Sequence, residues 1–306
     1  MKTAPMLCLA GLLLVVSGCT SVVERVGTTL FYWKAKLPDS QIQRDIPYRA
    51  GSTLPKHQLD LFLPTGTNWP VLIFIHGGGW TKGDKSLVVG GADVYQNIGR
   101  FYAAHGIGVA VINYRLQPGV DWRTQLDDAA AATAWVHANI GTLGGNPRRL
   151  FVSGHSAGGQ LADRIALDPE PLKKYGLSPA DICGVISVSG AGLDLADEKT
   201  YELGASRSKY EDLFGSKDTD WKKEASPVTY ARPGAPPFLI MYAGGEKQPL
   251  QRQAQRLSEV LTTNSIENKV VVVPGQSHEL IVLCLSRPDK TAGPAILNFI
   301  RTTKSR

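Results

Sequence analysis

Arg149-Leu-Phe-Val-Ser-Gly-His-Ser-Ala-Gly-Gly-Gln-Leu-Ala162 reads as a strand, a sharp turn and the start of a helix. The strand is Leu150 to Ser153, the turn Gly154 to Gly158, and the helix runs from Gly159. Within it lies G-x-S-x-G, with Ser156 at the tip. A serine hydroxyl is a weak nucleophile until a base takes its proton and the backbone presents it to a substrate. A tight strand-to-helix turn presents it, and the crowded backbone there demands small neighbours. Gly154, Ala157, Gly158 and Gly159 are those neighbours. A chain with 32 glycines produces chance matches to so short a motif. The strand before it and the helix after it are the context that gives the match weight. The rest of the chain must then supply a base, an acid and donors for an oxyanion.

Outward from this stretch, strand and helix patterns alternate. Val71 to Ile75 is a short, continuously apolar run, which predicts a fully buried strand, and it leads straight into His76-Gly-Gly-Gly-Trp80. Apolar spacing predicts helices over Tyr95–His105 and Leu250–Leu261. A long alanine-rich helix is expected from Asp121 to Ile140, closed by Gly141. Further strands are expected at Gly108–Tyr114, Gly184–Ser189, Phe238–Tyr242 and Lys269–Val273, of which Gly108–Tyr114 and Phe238–Tyr242 read as buried, with a closing helix over Ala295–Thr302. His57 to Pro64 alternates apolar and polar residues, so a strand with one buried face is expected there. The fold class is therefore α/β, a mostly parallel central sheet flanked by helices. Residues 191–236 carry too little apolar content for a core of their own and read as a small cap insertion.

A chain of 306 residues can bury one large core, and 43% hydrophobic with 20% charged residues is a globular composition. The formal charge of +6 is spread along the chain, without a run that predicts a nucleic-acid groove. Lys2 followed by the apolar Leu7–Val16 is too short to span a bilayer and reads as a signal segment. It ends in Val16-Ser-Gly-Cys19, which resembles the bacterial lipobox. That resemblance implies a signal peptide over 1–18, an acylated Cys19, a tether over 19–44 and a place on a bilayer of the cell envelope, the outer membrane if the host has one. An ordinary secretory signal is the alternative. Cys183 and Cys284 lie in apolar surroundings, as buried free thiols or as a pair. No Cys/His spacing predicts a zinc site.

Taken together, the buried strand ending in His76-Gly-Gly-Gly-Trp80, the Gly154-His-Ser-Ala-Gly-Gly159 turn and a late histidine resemble the α/β-hydrolase fold. Within it the chain is similar to the HGGG carboxylesterases, which include hormone-sensitive-lipase-like, feruloyl- and acetyl-esterase-like and arylformamidase groups. The resemblance implies a domain over 45–306 and an oxyanion hole formed by the N–H groups of Gly78, Gly79 and Ala157, with His76 orienting their loop. It places the base at His278, in the loop after the last strand, and the acid at Glu246, after Phe238–Tyr242. Most relatives have Asp there, and Asp194 is the runner-up. Trp80, Asp84 and the insertion are where substrate specificity is expected. The implied activity is hydrolysis of small, short- to medium-chain esters through an acyl-enzyme, with no metal or organic cofactor. The alternatives are an arylformamidase, suggested by residues 245–253 and 278–285, and a non-catalytic envelope protein on a hydrolase fold. A triacylglycerol lipase fits less well, because the insertion is charged rather than broadly apolar.

Overall fold

The computed structural model describes residues 32–215 and 220–305. The expected signal segment, Cys19 and the first part of the tether lie outside the described residues. Eight strands form the central sheet: β1 (Ile42–Pro47), β2 (Gln58–Phe62), β3 (Trp69–Ile75), β4 (Gly108–Ile112), β5 (Gly145–His155), β6 (Ile182–Val188), β7 (Phe238–Ala243) and β8 (Asn268–Val273). Their order across the sheet is β1-β2-β4-β3-β5-β6-β7-β8. The pairs β1–β2 and β2–β4 are antiparallel, and every pair from β4 to β8 is parallel. Parallel neighbours need crossovers, and helices supply them. These are α1 (Val94–Ala104), α2 (Trp122–Asn139), α3 (Ala157–Leu167) and α4 (Gln248–Thr263), and α5 (Ala292–Thr302) follows β8.

The period of two in β3 explains why it must be apolar throughout. Val71, Ile73 and Ile75 enter the core shared with α2, α3 and α4, while Leu72 and Phe74 enter the core under α1 and α5. Both faces of the sheet are covered, so neither parity of the strand can be polar. The same reasoning corrects the reading of β2. The alternation over 57–64 predicts an exposed face, yet residues 59–62 are all buried. Asp60 is tolerated there because Lys85 Nζ lies 2.8 Å from its carboxylate and Gln96 Nε2 donates to it at 2.6 Å. A buried carboxylate without such partners is strongly unfavourable.

Two boundaries differ from expectation. The tether boundary at residue 44 falls inside β1, where Ile42 and Gln43 pair with Phe62 and Leu61. Ala35 and Leu37 are already buried upstream of it, and Ala35 N–H donates to Asn97 on α1 at 2.8 Å. Helix α2 starts as predicted, with the Asp121 side chain accepting from Thr124 N–H at 2.8 Å. It does not stop at Gly141, because a 3₁₀ turn over Ile140–Leu143 extends it to Gly144, which takes the left-handed conformation. Cys183 and Cys284 are both buried, unpaired thiols.

Candidate active site

The carboxyl ends of the parallel strands deliver the loops that matter, as open α/β sheets do for their ligand sites. Ser156 sits between β5 and α3 with φ 56° and ψ −117°, a strained conformation for a residue with a Cβ. Main-chain bonds hold it there. Ser156 N–H donates to Val188 O at 3.0 Å, and its carbonyl accepts from Gly159 N–H at 3.0 Å and Ala191 N–H at 3.2 Å. The turn closes only on glycine. A Cβ on Gly154 would lie 2.1 Å from Gly158 O, and one on Gly158 would lie 2.2 Å from Ile75 O.

The loop after β3 packs directly on this turn. A Cβ on Gly77 would meet the Ser156 Cβ at 3.3 Å, so the glycine backbone lies against the serine. His76 is fully buried, stacked on Tyr114 with ring centroids 4.3 Å apart. Its Nδ1–H donates to Gly77 O at 2.7 Å, fixing the loop from behind. Burial pushes its pKa down to about 4, so the ring is neutral at ordinary pH and is no candidate for the base. Among the described residues no hydrogen bond engages the N–H groups of Gly78, Gly79 or Ala157. Ala157 is the first residue of α3, where helix N–H groups have no partner within the helix.

The structure brings His278 and Glu246 to the same point. His278 Nε2 lies 2.9 Å from Ser156 Oγ, and His278 Nδ1 is hydrogen-bonded to Glu246 Oε1. A carboxylate can only accept, so Nδ1 carries the proton and the Nε2 lone pair faces the serine hydroxyl. The glutamate reaches the ring because its loop is drawn toward the end of β8, with Gly244 N–H donating to Val273 O and Gly245 N–H to Gln276 O at 2.8 and 2.9 Å. Asp194 is elsewhere, with Arg256 Nε donating to its carboxylate at 2.8 Å. Such a relay can move a proton from the serine to the imidazole and on to a leaving group.

The family model BD-FAE matches residues 59–261, about two thirds of the chain. The chain belongs to the BD-FAE family. The matched span contains Ser156, the glycine loop and Glu246, while His278 lies beyond it. The chain is similar to "Esterase LipQ" of Mycobacterium tuberculosis, at 33% identity over 225 residues that are 69% of this chain and 50% of that protein. It thus spans about half the length of that relative. Among solved structures, a truncated carbohydrate esterase from gut microbiota superposes with a TM-score of 0.69 at 19% identity, covering 88% of this chain and 99% of the other. Esterase B from Lactobacillus rhamnosis superposes with a TM-score of 0.71 at 22% identity, covering 91% and 90%. These likenesses establish the α/β-hydrolase fold.

In this BD-FAE chain two lobes open on either side of Ser156 and His278. One has a volume of about 490 Å³ and is walled by Trp80, Tyr210 and Leu250. The other has about 440 Å³ and is walled by Gly77–Gly79, Tyr95 and Val282. Trp80 is only 2% exposed, so it serves the first lobe as a buried wall. It is packed edge-on against Phe214 at 4.9 Å and donates its indole N–H to Gln160 at 3.2 Å. Asp84, expected to take part in substrate binding, lines neither lobe. Lys56 and Asn113 hold its carboxylate at 2.7 and 3.0 Å.

Two residues at the BD-FAE site escape sequence reading. His155, inside the G-x-S-x-G motif, donates Nε2–H to the His278 carbonyl at 2.8 Å, tying the base loop to β5. Burial, reinforced by neighbouring His278, pushes its pKa down to about 3. Strand alternation is the signal for it, since it points the neighbours of an exposed serine inward. Gln253 on α4 accepts from the N–H groups of Leu193 and Asp194 at 2.6 and 2.9 Å, anchoring the start of the insertion.

Proposed function

We propose that the protein is a serine carboxylesterase acting on short- to medium-chain esters. The observation that carries this reading is the chain of contacts from Glu246 through His278 to Ser156, beside a glycine loop with free N–H groups. Ser156 Oγ attacks the ester carbonyl carbon while its proton passes to His278 Nε2. The carbonyl oxygen takes up negative charge and is met by the N–H groups of Gly78, Gly79 and Ala157, each such donor being worth about 10²- to 10³-fold in rate. His278 returns the proton to the departing alkoxide, leaving an acyl-serine. Water then attacks the acyl carbon, gives its proton to His278, and the acid leaves as Ser156 recovers its hydrogen. Glu246 holds the imidazole in the required tautomer and stabilises its cationic form. Family membership and relatives named as esterases support the ester over the formamide. Lobes of 490 and 440 Å³ suit small ligands, being near the lower end of the about 300–1,000 Å³ usual for such sites.

The test is turnover of an aryl acetate by the wild type and by Ser156→Ala. The variant is expected to lose at least about 10³-fold in kcat while unfolding at the same urea concentration. Unchanged turnover contradicts the assignment. The lipobox-like Val16-Ser-Gly-Cys19 supports a second proposal, that the enzyme is tethered to an envelope membrane through an acylated Cys19. Detergent-phase partitioning that survives Cys19→Ser counts against it.

A further inference from the structure

We propose that the esters this site prefers carry a carboxylate, and that Lys209 is the residue that selects for it. This rests on the esterase reading above. Three lysines stand around the reacting pair. Lys209 lines both lobes, Lys247 lines the larger one and Lys82 the smaller one. All three are exposed. Among the described residues, none has an ion-pair or side-chain hydrogen-bond partner. Cations just outside the cleft are treated differently. Lys56 is bound to Asp84, Lys85 to Asp45 and Asp60, Arg252 to Asp197 and Arg256 to Asp194.

The opposing charges in the cleft are few. Glu246 is buried and engaged by His278. Glu279 lines both lobes, is exposed and accepts from Ser277 Oγ at 3.0 Å. His155 is neutral, as argued above. Three lysines against one exposed glutamate leave the cleft mouth cationic. The placement of Lys209 adds to this. It lies on the helix Arg207–Phe214, whose N-cap Ser206 accepts from Lys209 N–H at 3.2 Å. Gly204, Ala205 and Ser206, which lead into that helix, line the larger lobe. The lobe therefore meets the helix at the end where peptide dipoles leave partial positive charge.

A cleft walled by low-dielectric groups and rimmed by one sign of charge concentrates ligands of the other sign. An ester bearing a carboxylate, on its acyl or its alcohol part, gains this attraction in both ground and transition states. The advantage therefore falls mainly on KM. A neutral ester of the same size gains nothing from it.

Two matched pairs of substrates test the proposal. A 4-nitrophenyl hemisuccinate against a 4-nitrophenyl butyrate places the charge on the acyl part. A 4-acetoxybenzoate against its methyl ester places it on the alcohol part. Each kcat/KM is normalised to spontaneous hydrolysis. The wild type is expected to favour the anionic member of at least one pair by about three- to tenfold, since exposed charge pairs are individually weak. That ratio is expected to shrink as salt rises from about 0.02 to about 0.5 M. Lys209→Glu lowers the ratio about tenfold and Lys209→Arg retains it, the change appearing in KM more than in kcat. Because each ratio is internal to one protein sample, partial misfolding of a variant does not alter it. Hydrolysis of the neutral esters with no anionic preference in either pair, or a ratio untouched by Lys209→Glu, overturns the charge assignment and leaves the esterase reading standing. Hydrolysis of neither member overturns both.

Discussion

On the sheet side of the cleft, the Gly77–Gly79 loop and the Ser156 turn are fixed by main-chain contacts so close that no side chain fits between them. On the far side, the insertion hangs from the side chains of α4, with Gln253 bonded to the main chain of 193–194, Arg252 to Asp197 and Arg256 to Asp194. The Arg123–Glu224 pair closes it against α2. Backbone packing sets the position of a reacting atom with little freedom, which is what acyl transfer requires. A wall held by side chains can change shape and charge without disturbing that position. On the proposed esterase reading, the sheet side would carry the chemistry and the insertion the selectivity.

The two sides of the cleft should respond differently to small changes. Gly154→Ala is expected to have the largest effect, because its Cβ would lie 2.1 Å from a backbone carbonyl that cannot rotate away. Urea denaturation should show a loss of about 2 kcal/mol or more, with turnover down at least about tenfold. A variant as stable and active as the wild type refutes the claim that main-chain contact fixes the turn. Gln253→Ala removes the acceptor for two buried N–H groups and should lower stability by about 1–3 kcal/mol. Steady-state kinetics on a neutral ester should show KM raised about threefold and kcat within about twofold. A fall in kcat with KM unchanged would place the insertion in the chemistry rather than in selectivity.

Acid separates the sides more gently. His76 and His155 titrate near 4 and 3 in the folded protein, below the ordinary 6.5, because burial disfavours their cations. The unfolded chain therefore binds protons first as pH falls. Stability is complete above about 6.5 and declines toward 4. Burial raises the pKa of Asp197, but hydrogen bonds from Arg252 and Thr200 outweigh it and hold it below the ordinary 3.8. Its contribution is present above that value and lost only as pH falls through the lower folded one. The urea midpoint should thus already decline between about pH 7 and pH 5, well before the insertion loosens. A flat profile over that interval contradicts the assignment of acid sensitivity to the buried histidines.

The same division governs what could be read in the sequence. The strands β3 and β4 and the Ser156 turn carry their own local pattern, so their places were legible. So was the meeting of Ser156, His278 and Glu246, through the resemblance to the α/β-hydrolases, whose order of nucleophile, acid and base this chain follows. The strand β1 was not legible, since Ile42–Pro47 has a mixed pattern and becomes a strand only by pairing with β2. Nor was the burial of Asp60, which depends on Lys85 and Gln96 arriving from distant segments. Nor were the bonds of Lys56 and Asn113 to the Asp84 carboxylate, since all three come from separate segments. Lys209 is one exposed lysine in a charged helix, and nothing local distinguishes it from a solvated surface residue. Only the fold of the insertion sets it over the reacting pair.

Whether Ser156 is a nucleophile activated by His278 is read by treating the folded protein with a fluorophosphonate and mapping the adduct by mass spectrometry. One phosphonyl group on the peptide containing Ser156, absent in Ser156→Ala and strongly slowed in His278→Ala, is the predicted result. Folded wild-type protein that stays unlabelled, or that is labelled equally well without Ser156, would contradict the account.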